Sequence, residues 1–138
     1  MIMKTRFALP LAVTLALLAA PALADSAVSF TATQARQGDA VYKDNCAACH
    51  GDSLQGALDA PILTGPLFQA NWFGKPANVL FDFVSTNMPQ DRPGALTPQQ
   101  YAQVIAFILS KNGVAAGDSP LPSDSATLAG VTLPAPAK

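Results

Sequence analysis

Apolar side chains recur at helical spacing in three stretches, separated by segments rich in glycine, proline and aspartate. The first stretch predicts a helix from Thr31 to Cys49 with Thr33 as its N-cap. The small and apolar positions of this pattern are Ala35, Gly38, Val41, Tyr42 and Cys46. The segment 51–65 is rich in glycine, aspartate and proline, and it predicts a loop.

Two further helices are predicted nearer the C-terminus. The first of them runs from about Pro76 to Ser85 and carries an apolar stripe. After it, Pro89 and Pro93 exclude regular structure between Asn87 and Gly94. The residues of that stripe are Val79, Leu80, Phe83 and Val84.

The strongest helical pattern runs from Thr97 to Asn112. Thr97 is a suitable N-cap, Pro98 suits the first helical position, and Gln100 completes a capping box. The apolar face consists of Tyr101, Val104, Ile105, Ile108 and Leu109. Gly113 follows as a typical helix stop, so the fold class is predicted to be all-α.

Composition divides the chain into three parts. Residues 1–24 resemble a secretory signal peptide, with Lys4 and Arg6 before an apolar run and an A-x-A cleavage site ending at Ala24. An uncleaved anchor is the alternative, but the run is shorter than a membrane span requires. Residues 25–113 are predicted to form one domain, and residues 114–138 an Ala/Pro/Ser-rich tail. The tail anchors are expected at Leu121, Leu128, Val131 and Leu133.

The charge pattern excludes one class of partner. After Ala24, six basic residues stand against nine aspartates, and no basic stripe appears. Nucleic acid is therefore not an expected partner. Because no later segment is apolar enough to span a bilayer, we expect the mature chain to be exported to the periplasm without membrane insertion.

The motif C-x-x-C-H at residues 46–50 carries the most specific chemistry. On a helix, Cys46 and Cys49 share one face, so both thiols can form thioethers with the vinyl groups of one haem. His50 then offers an imidazole nitrogen to the iron. A redox-active dithiol would need a βαβ context that is missing, and a structural zinc site would need about four ligands.

These residues resemble the class I c-type cytochromes, and the resemblance covers about residues 34–113. It implies a cytochrome c-like fold of three to five helices around one haem c, bound covalently through Cys46 and Cys49. In that family the first and last helices cross closely. The matching pairs are Gly38 and Tyr42 on the first helix and Val104 and Phe107 on the last.

Met88 is the expected second iron ligand. His50 is the only histidine, and Met1 and Met3 lie in the predicted signal peptide. The segment around Met88 and Pro89 resembles the Met-Pro loop of class I cytochromes. The alternative is a methionine that only fills the core.

The resemblance also assigns supporting roles around the haem. The carbonyl of Pro61 would accept a hydrogen bond from His50, and Leu63 would pack on the ring edge. Trp72 would direct its indole N–H to a haem propionate, although core packing explains this residue equally well.

A narrower resemblance points to cytochromes of periplasmic quinoprotein (PQQ-dependent) dehydrogenases. It rests on Asn71-Trp72, Met88-Pro89, Pro93-Gly94, Tyr101, Asn112-Gly113 and the Leu-Pro-x-Asp sequence at 121–124. The implied function is a monomeric electron carrier, and not an enzyme, between a periplasmic dehydrogenase and a terminal oxidase. A fixed subunit of a dehydrogenase or sulfur-oxidising complex, and a ligand-binding or peroxidase-like haem protein, remain alternatives.

Overall fold

The helices follow one another around a single apolar core in the computed structural model, which describes residues 26–57 and 60–135. The elements are β1 (Ser26–Ala27), α1 (Ala32–Asn45), α2 (Ala47–His50), α3 (Gly65–Trp72), α4 (Ala77–Asn87), α5 (Pro98–Lys111), α6 (Ser125–Leu128) and β2 (Val131–Thr132). The predicted all-α class is confirmed, with four helices longer than one turn in the described part. The predicted signal peptide lies outside the described residues.

Helices α1 and α5 cross at very short range. A methyl group on Gly38 would overlap the carbonyl oxygen of Gln103 and lie 2.9 Å from Cβ of Phe107. One turn further along, the rings of Tyr42 and Phe107 pack with their centroids 5.3 Å apart. The close crossing expected from Gly38 and Tyr42 is therefore confirmed, and it explains a glycine in the middle of a helix, where it costs about 1 kcal/mol relative to alanine.

The first helix differs from its prediction at both ends. Its N-cap is Thr31, whose hydroxyl accepts a hydrogen bond from the amide of Gln34, so the prediction of Thr33 was wrong. Before the cysteine motif, the side-chain amide of Asn45 donates to the carbonyl of Val41 at 3.0 Å. Such local bonds compete with helix continuation, and Cys46 separates α1 from the single turn α2.

Helix α5 begins and ends as predicted. The hydroxyl of Thr97 accepts from the amide of Gln100, and the side chain of Gln100 accepts from the amide of Thr97. At the other end, Asn112 caps the helix and Gly113 adopts a φ of 84°, in the left-handed region that favours glycine.

Helix α3 was not predicted. It has Pro66 in its first turn, and Phe68 lies in the core with its ring centroid 6.3 Å from that of Phe73. Eight residues beginning with a Gly-Pro pair give too little periodicity to distinguish a helix from a loop.

The C-terminal segment folds back onto the domain. Strand β2 pairs in parallel with β1, and the carbonyl of Pro134 accepts a 2.7 Å hydrogen bond from the amide of Gly74. Leu121, Leu128 and Leu133 are at most 3% exposed, which confirms them as anchors. No helix of the described residues is long and apolar enough to cross a membrane.

Candidate haem-binding site

The cysteine motif consists of Cys46, which separates α1 from α2, and the single helical turn of α2. The carbonyl of Cys46 accepts hydrogen bonds from the amides of Cys49 at 3.2 Å and His50 at 2.9 Å. Neither cysteine forms a disulfide in the described residues, and Cys46 is half-buried whereas Cys49 is exposed. Burial raises the pKa of Cys46 to about 11, and the nearby Cys49 adds to the rise.

His50 is buried and held in one orientation. Its Nδ1 lies 2.9 Å from the carbonyl oxygen of Pro61. Since a carbonyl oxygen only accepts, Nδ1 carries the proton and donates it, which leaves the lone pair on Nε2. The hydrogen bonds among the described residues give Nε2 no partner. This nitrogen is therefore free to bind a metal, and the Pro61 contact expected from the sequence is present.

The loop after His50 is fastened at several points. The carbonyl of His50 accepts from the amide of Gly56 at 2.8 Å, and the amide of Leu63 donates to Leu54 at 2.9 Å. Gly56 has a φ of 76°, and a side chain there would meet the backbone at Ala60. These hydrogen bonds hold the carbonyl of Pro61 beside the imidazole of His50.

Asn112 holds the far end of that loop, a role that the sequence analysis missed. Its side-chain amide donates to the carbonyl of Leu63 at 2.9 Å, and its side-chain oxygen accepts from the amide of Gly65 at 3.0 Å. The only signal in the sequence was an asparagine at a helix end, which is common without such a role. Leu63 itself is half-buried against the core.

Met88 lies at the C-terminal end of α4 and is half-buried. Its amide donates to the carbonyl of Val84, and its own carbonyl accepts a 2.7 Å hydrogen bond from the hydroxyl of Tyr101. Four residues further on, the guanidinium of Arg92 lies 3.4 Å from the side-chain oxygen of Asn45. That contact brings the loop from Met88 to Leu96, here called the methionine loop, next to Asn45, the residue that precedes Cys46.

Trp72 packs in a half-exposed aromatic group. Its ring centroid lies 6.5 Å from that of Phe68 and 5.2 Å from that of Phe83, and Lys75 Nζ lies 5.8 Å from the tryptophan ring. The apolar stripe of α4 predicts that Phe83 faces the core, but Phe83 is 44% exposed, so this prediction was wrong. It lies on the outer side of α4 with Val79, which is 41% exposed.

The residues of this region fit a c-type haem. The donor set consists of two cysteine sulfur atoms on one turn, an imidazole nitrogen without a protein partner, and one thioether in a loop that contacts Asn45, the residue before Cys46. Phe83 and Val79 remain 44% and 41% exposed on α4, and a large apolar group that covered them would be favoured because it removes apolar surface from water.

Comparisons with known proteins agree on one family. The family model for "Cytochrome C oxidase, cbb3-type, subunit III" matches residues 33–108. A cbb3-type cytochrome c oxidase subunit CcoP from Azospirillum sp. (strain B510) is 56% identical over 39 residues. The CcoP subunit of Azospirillum brasilense is 46% identical over 46 residues. These matches cover 26% and 32% of this chain, but only 13% and 16% of the two subunits.

A solved structure extends the similarity to most of the fold. The sulfane dehydrogenase SoxCD from Paracoccus pantotrophus superposes with a TM-score of 0.55 at 25% sequence identity. The alignment covers 87% of this chain and 68% of that chain.

Proposed function

This chain belongs to the cytochrome c family described by cbb3-type oxidase subunit III, and from that premise we propose that it is a periplasmic carrier of single electrons. It has a cytochrome c electron-transfer domain whose cofactor is one haem c, bound covalently through Cys46 and Cys49. The haem supplies the one-electron ferrous–ferric couple. The residues of the chain hold the haem, orient its ligands and limit access to the iron.

The proposal is carried by the hydrogen bond from His50 to Pro61. Because Nδ1 donates to the carbonyl, the lone pair of Nε2 is available as the first axial ligand. The same bond fixes the ring orientation and raises the basicity of the ligand. Cys49, the residue before His50, is bound covalently to the haem and therefore keeps the imidazole close to the macrocycle.

We assign the second axial position to Met88. Its place at the end of α4, in a loop that contacts Asn45, supports this assignment, and residues 25–138 contain no other methionine. A thioether is a weak donor that favours ferrous iron and raises the reduction potential. With both axial positions filled by the protein, the site suits electron transfer without bond formation to a substrate.

Replacing Met88 by alanine tests the ligand assignment. We expect Met88→Ala to keep its haem, because the thioethers are unchanged, but to bind carbon monoxide in the reduced state. The measurement is the visible spectrum before and after carbon monoxide is added, compared with the wild type, which we expect to remain unchanged. Leu96→Ala is the matched control, since Leu96 is half-buried at the end of the same loop but carries no ligand atom.

Two results would change the proposal. A Met88→Ala protein that resists carbon monoxide like the wild type contradicts the ligand assignment. A wild-type protein that binds carbon monoxide readily favours the ligand-binding or peroxidase-like alternative.

A fixed place in a larger complex is the second candidate, and the comparisons favour it specifically. The matched relatives are named as oxidase subunits, and the structural neighbour is a dehydrogenase. Purification of the native protein with a mild detergent separates the two functions. A stoichiometric large partner that stays bound in high salt supports a subunit, whereas a free chain supports the mobile carrier. A quinoprotein dehydrogenase and a terminal oxidase stay predicted partners of that carrier, and the predicted signal peptide supports its periplasmic location.

A further inference from the structure

Two buried tyrosines donate to the backbone beside the two proposed iron ligands. Tyr42 on α1 donates its hydroxyl to the carbonyl of Gly51, next to His50, at 2.6 Å. Tyr101 on α5 donates to the carbonyl of Met88 itself at 2.7 Å. Both residues are almost completely buried, with exposed fractions of 0% and 3%. The two bonds are chemically alike but act on segments that are fastened very differently.

The segment next to Tyr42 has a covalent attachment. His50 directly follows Cys49, and the thioether holds this turn against the haem whether or not the Tyr42 hydrogen bond is present. Loss of that bond weakens the fold but leaves the histidine beside the iron.

The segment next to Tyr101 has no covalent attachment. Residues 90–95, which follow Met88 in the loop, are exposed, and the Arg92–Asn45 contact is an exposed hydrogen bond of 3.4 Å. The Tyr101 hydroxyl also accepts from the amide of Leu96 at 3.4 Å. One buried hydroxyl therefore joins the beginning and the end of the methionine loop.

We propose that Tyr101 is the positioning residue for Met88, closing the loop so that the thioether stays on the iron. The inference rests on the proposed ligation by Met88. When the loop opens, the hydrogen bond between the Tyr101 hydroxyl and the Met88 carbonyl is broken. The bond therefore stabilises the closed state of the loop relative to the open state. Carbon monoxide binds only the open state, and its apparent affinity follows the open fraction.

Carbon monoxide titration of reduced Tyr101→Phe tests the proposal. Removal of one net hydrogen bond should raise the open fraction, and with it the carbon monoxide affinity, roughly tenfold. Tyr42→Phe is the matched control, because it removes an equally short bond from an equally buried hydroxyl. We expect it to lower the resistance to denaturant by a similar amount and to leave carbon monoxide affinity at the wild-type value.

The variants separate this inference from the proposed function. If Met88→Ala binds carbon monoxide and Tyr101→Phe behaves like the wild type, only the positioning role is overturned. If both tyrosine variants bind more tightly by the same factor, general loosening explains the effect and the positioning role is again overturned. If Met88→Ala does not bind carbon monoxide, the ligation fails and this inference with it.

A second measurement needs no variant and covers the case in which Tyr101→Phe does not fold. In the nuclear magnetic resonance spectrum of the reduced wild type, the Tyr101 hydroxyl proton should exchange slowly and show a through-space contact with the α-proton of Met88. Its fast exchange with water, with no such contact, would overturn the proposal.

Discussion

Tyr42 links the stability of the fold to pH through a single buried hydroxyl. Burial is the largest cause that raises its pKa from 10.0 to about 12, and the nearby Asp52 adds to the rise. The unfolded chain therefore loses this proton at lower pH than the folded chain does. The stabilising contribution is complete below pH 10 and is lost as the pH rises from 10 towards 12.

The corresponding prediction concerns alkaline unfolding. Between pH 9 and 12 the wild type should lose roughly 2 kcal/mol of unfolding free energy that Tyr42→Phe does not lose. Denaturant titrations of the haem-loaded proteins, followed by circular dichroism at several pH values, measure the difference. Parallel pH profiles for the two proteins would show that the Tyr42 hydroxyl is not buried in solution.

Residues whose chemistry depends on spacing were predictable from the sequence. The C-x-x-C-H spacing led to Cys46, Cys49 and His50, and the structure has the expected contact between His50 and Pro61. The contact of Tyr101 with Met88 was not predictable. In an apolar helical stripe, tyrosine and phenylalanine give the same pattern, and only the fold reveals what the hydroxyl reaches.

At the scale of the helices, the start of a helix was predicted correctly where two sequence signals agreed and wrongly where only one was present. Helix α5 has a cap and its reciprocal glutamine, and both act as predicted. For α1, Thr31 and Thr33 are both suitable N-caps by residue type, and only the structure shows that Thr31 is the one used. Periodicity also failed to show the break at Cys46, because a single non-helical residue leaves the apolar spacing on either side intact.

The competing threonines give a direct test of the helix start. Thr31→Ala removes the hydroxyl that accepts from Gln34 and should cost about 1 kcal/mol of unfolding free energy. Thr33→Ala is the matched control, since its hydroxyl accepts only an exposed hydrogen bond from Arg36, and its effect should stay within about 0.5 kcal/mol. Thermal or denaturant unfolding of the two variants compares them. A larger loss in Thr33→Ala would favour the start predicted from the sequence.

On the scale of the whole molecule, the segment that matches the family model is shorter than the segment that folds as one unit. The family model matches residues 33–108, whereas the core includes side chains up to Leu133. The C-terminal segment also reaches the helices that carry the site. The hydroxyl of Ser125 donates to the carboxylate of Asp82 on α4 at 2.9 Å, and the amide of Leu133 donates to the carbonyl of Lys75. We therefore regard residues 114–135 as part of the domain and not as an appended tail.

This view predicts that the segment contributes stability in proportion to its burial. Leu128 is fully buried, whereas Leu67 on α3 is 69% exposed, so the same substitution can be compared at the two positions. Leu128→Ala should cost about 2–4 kcal/mol through lost burial and the remaining cavity, and Leu67→Ala less than about 0.5 kcal/mol. Equal losses in denaturant unfolding would mean that the segment is not docked in solution. The larger loss in Leu128→Ala, together with weaker protection of the Gly74 and Leu133 amides from hydrogen exchange, would show that this segment supports the residues that lead into α4 and Met88.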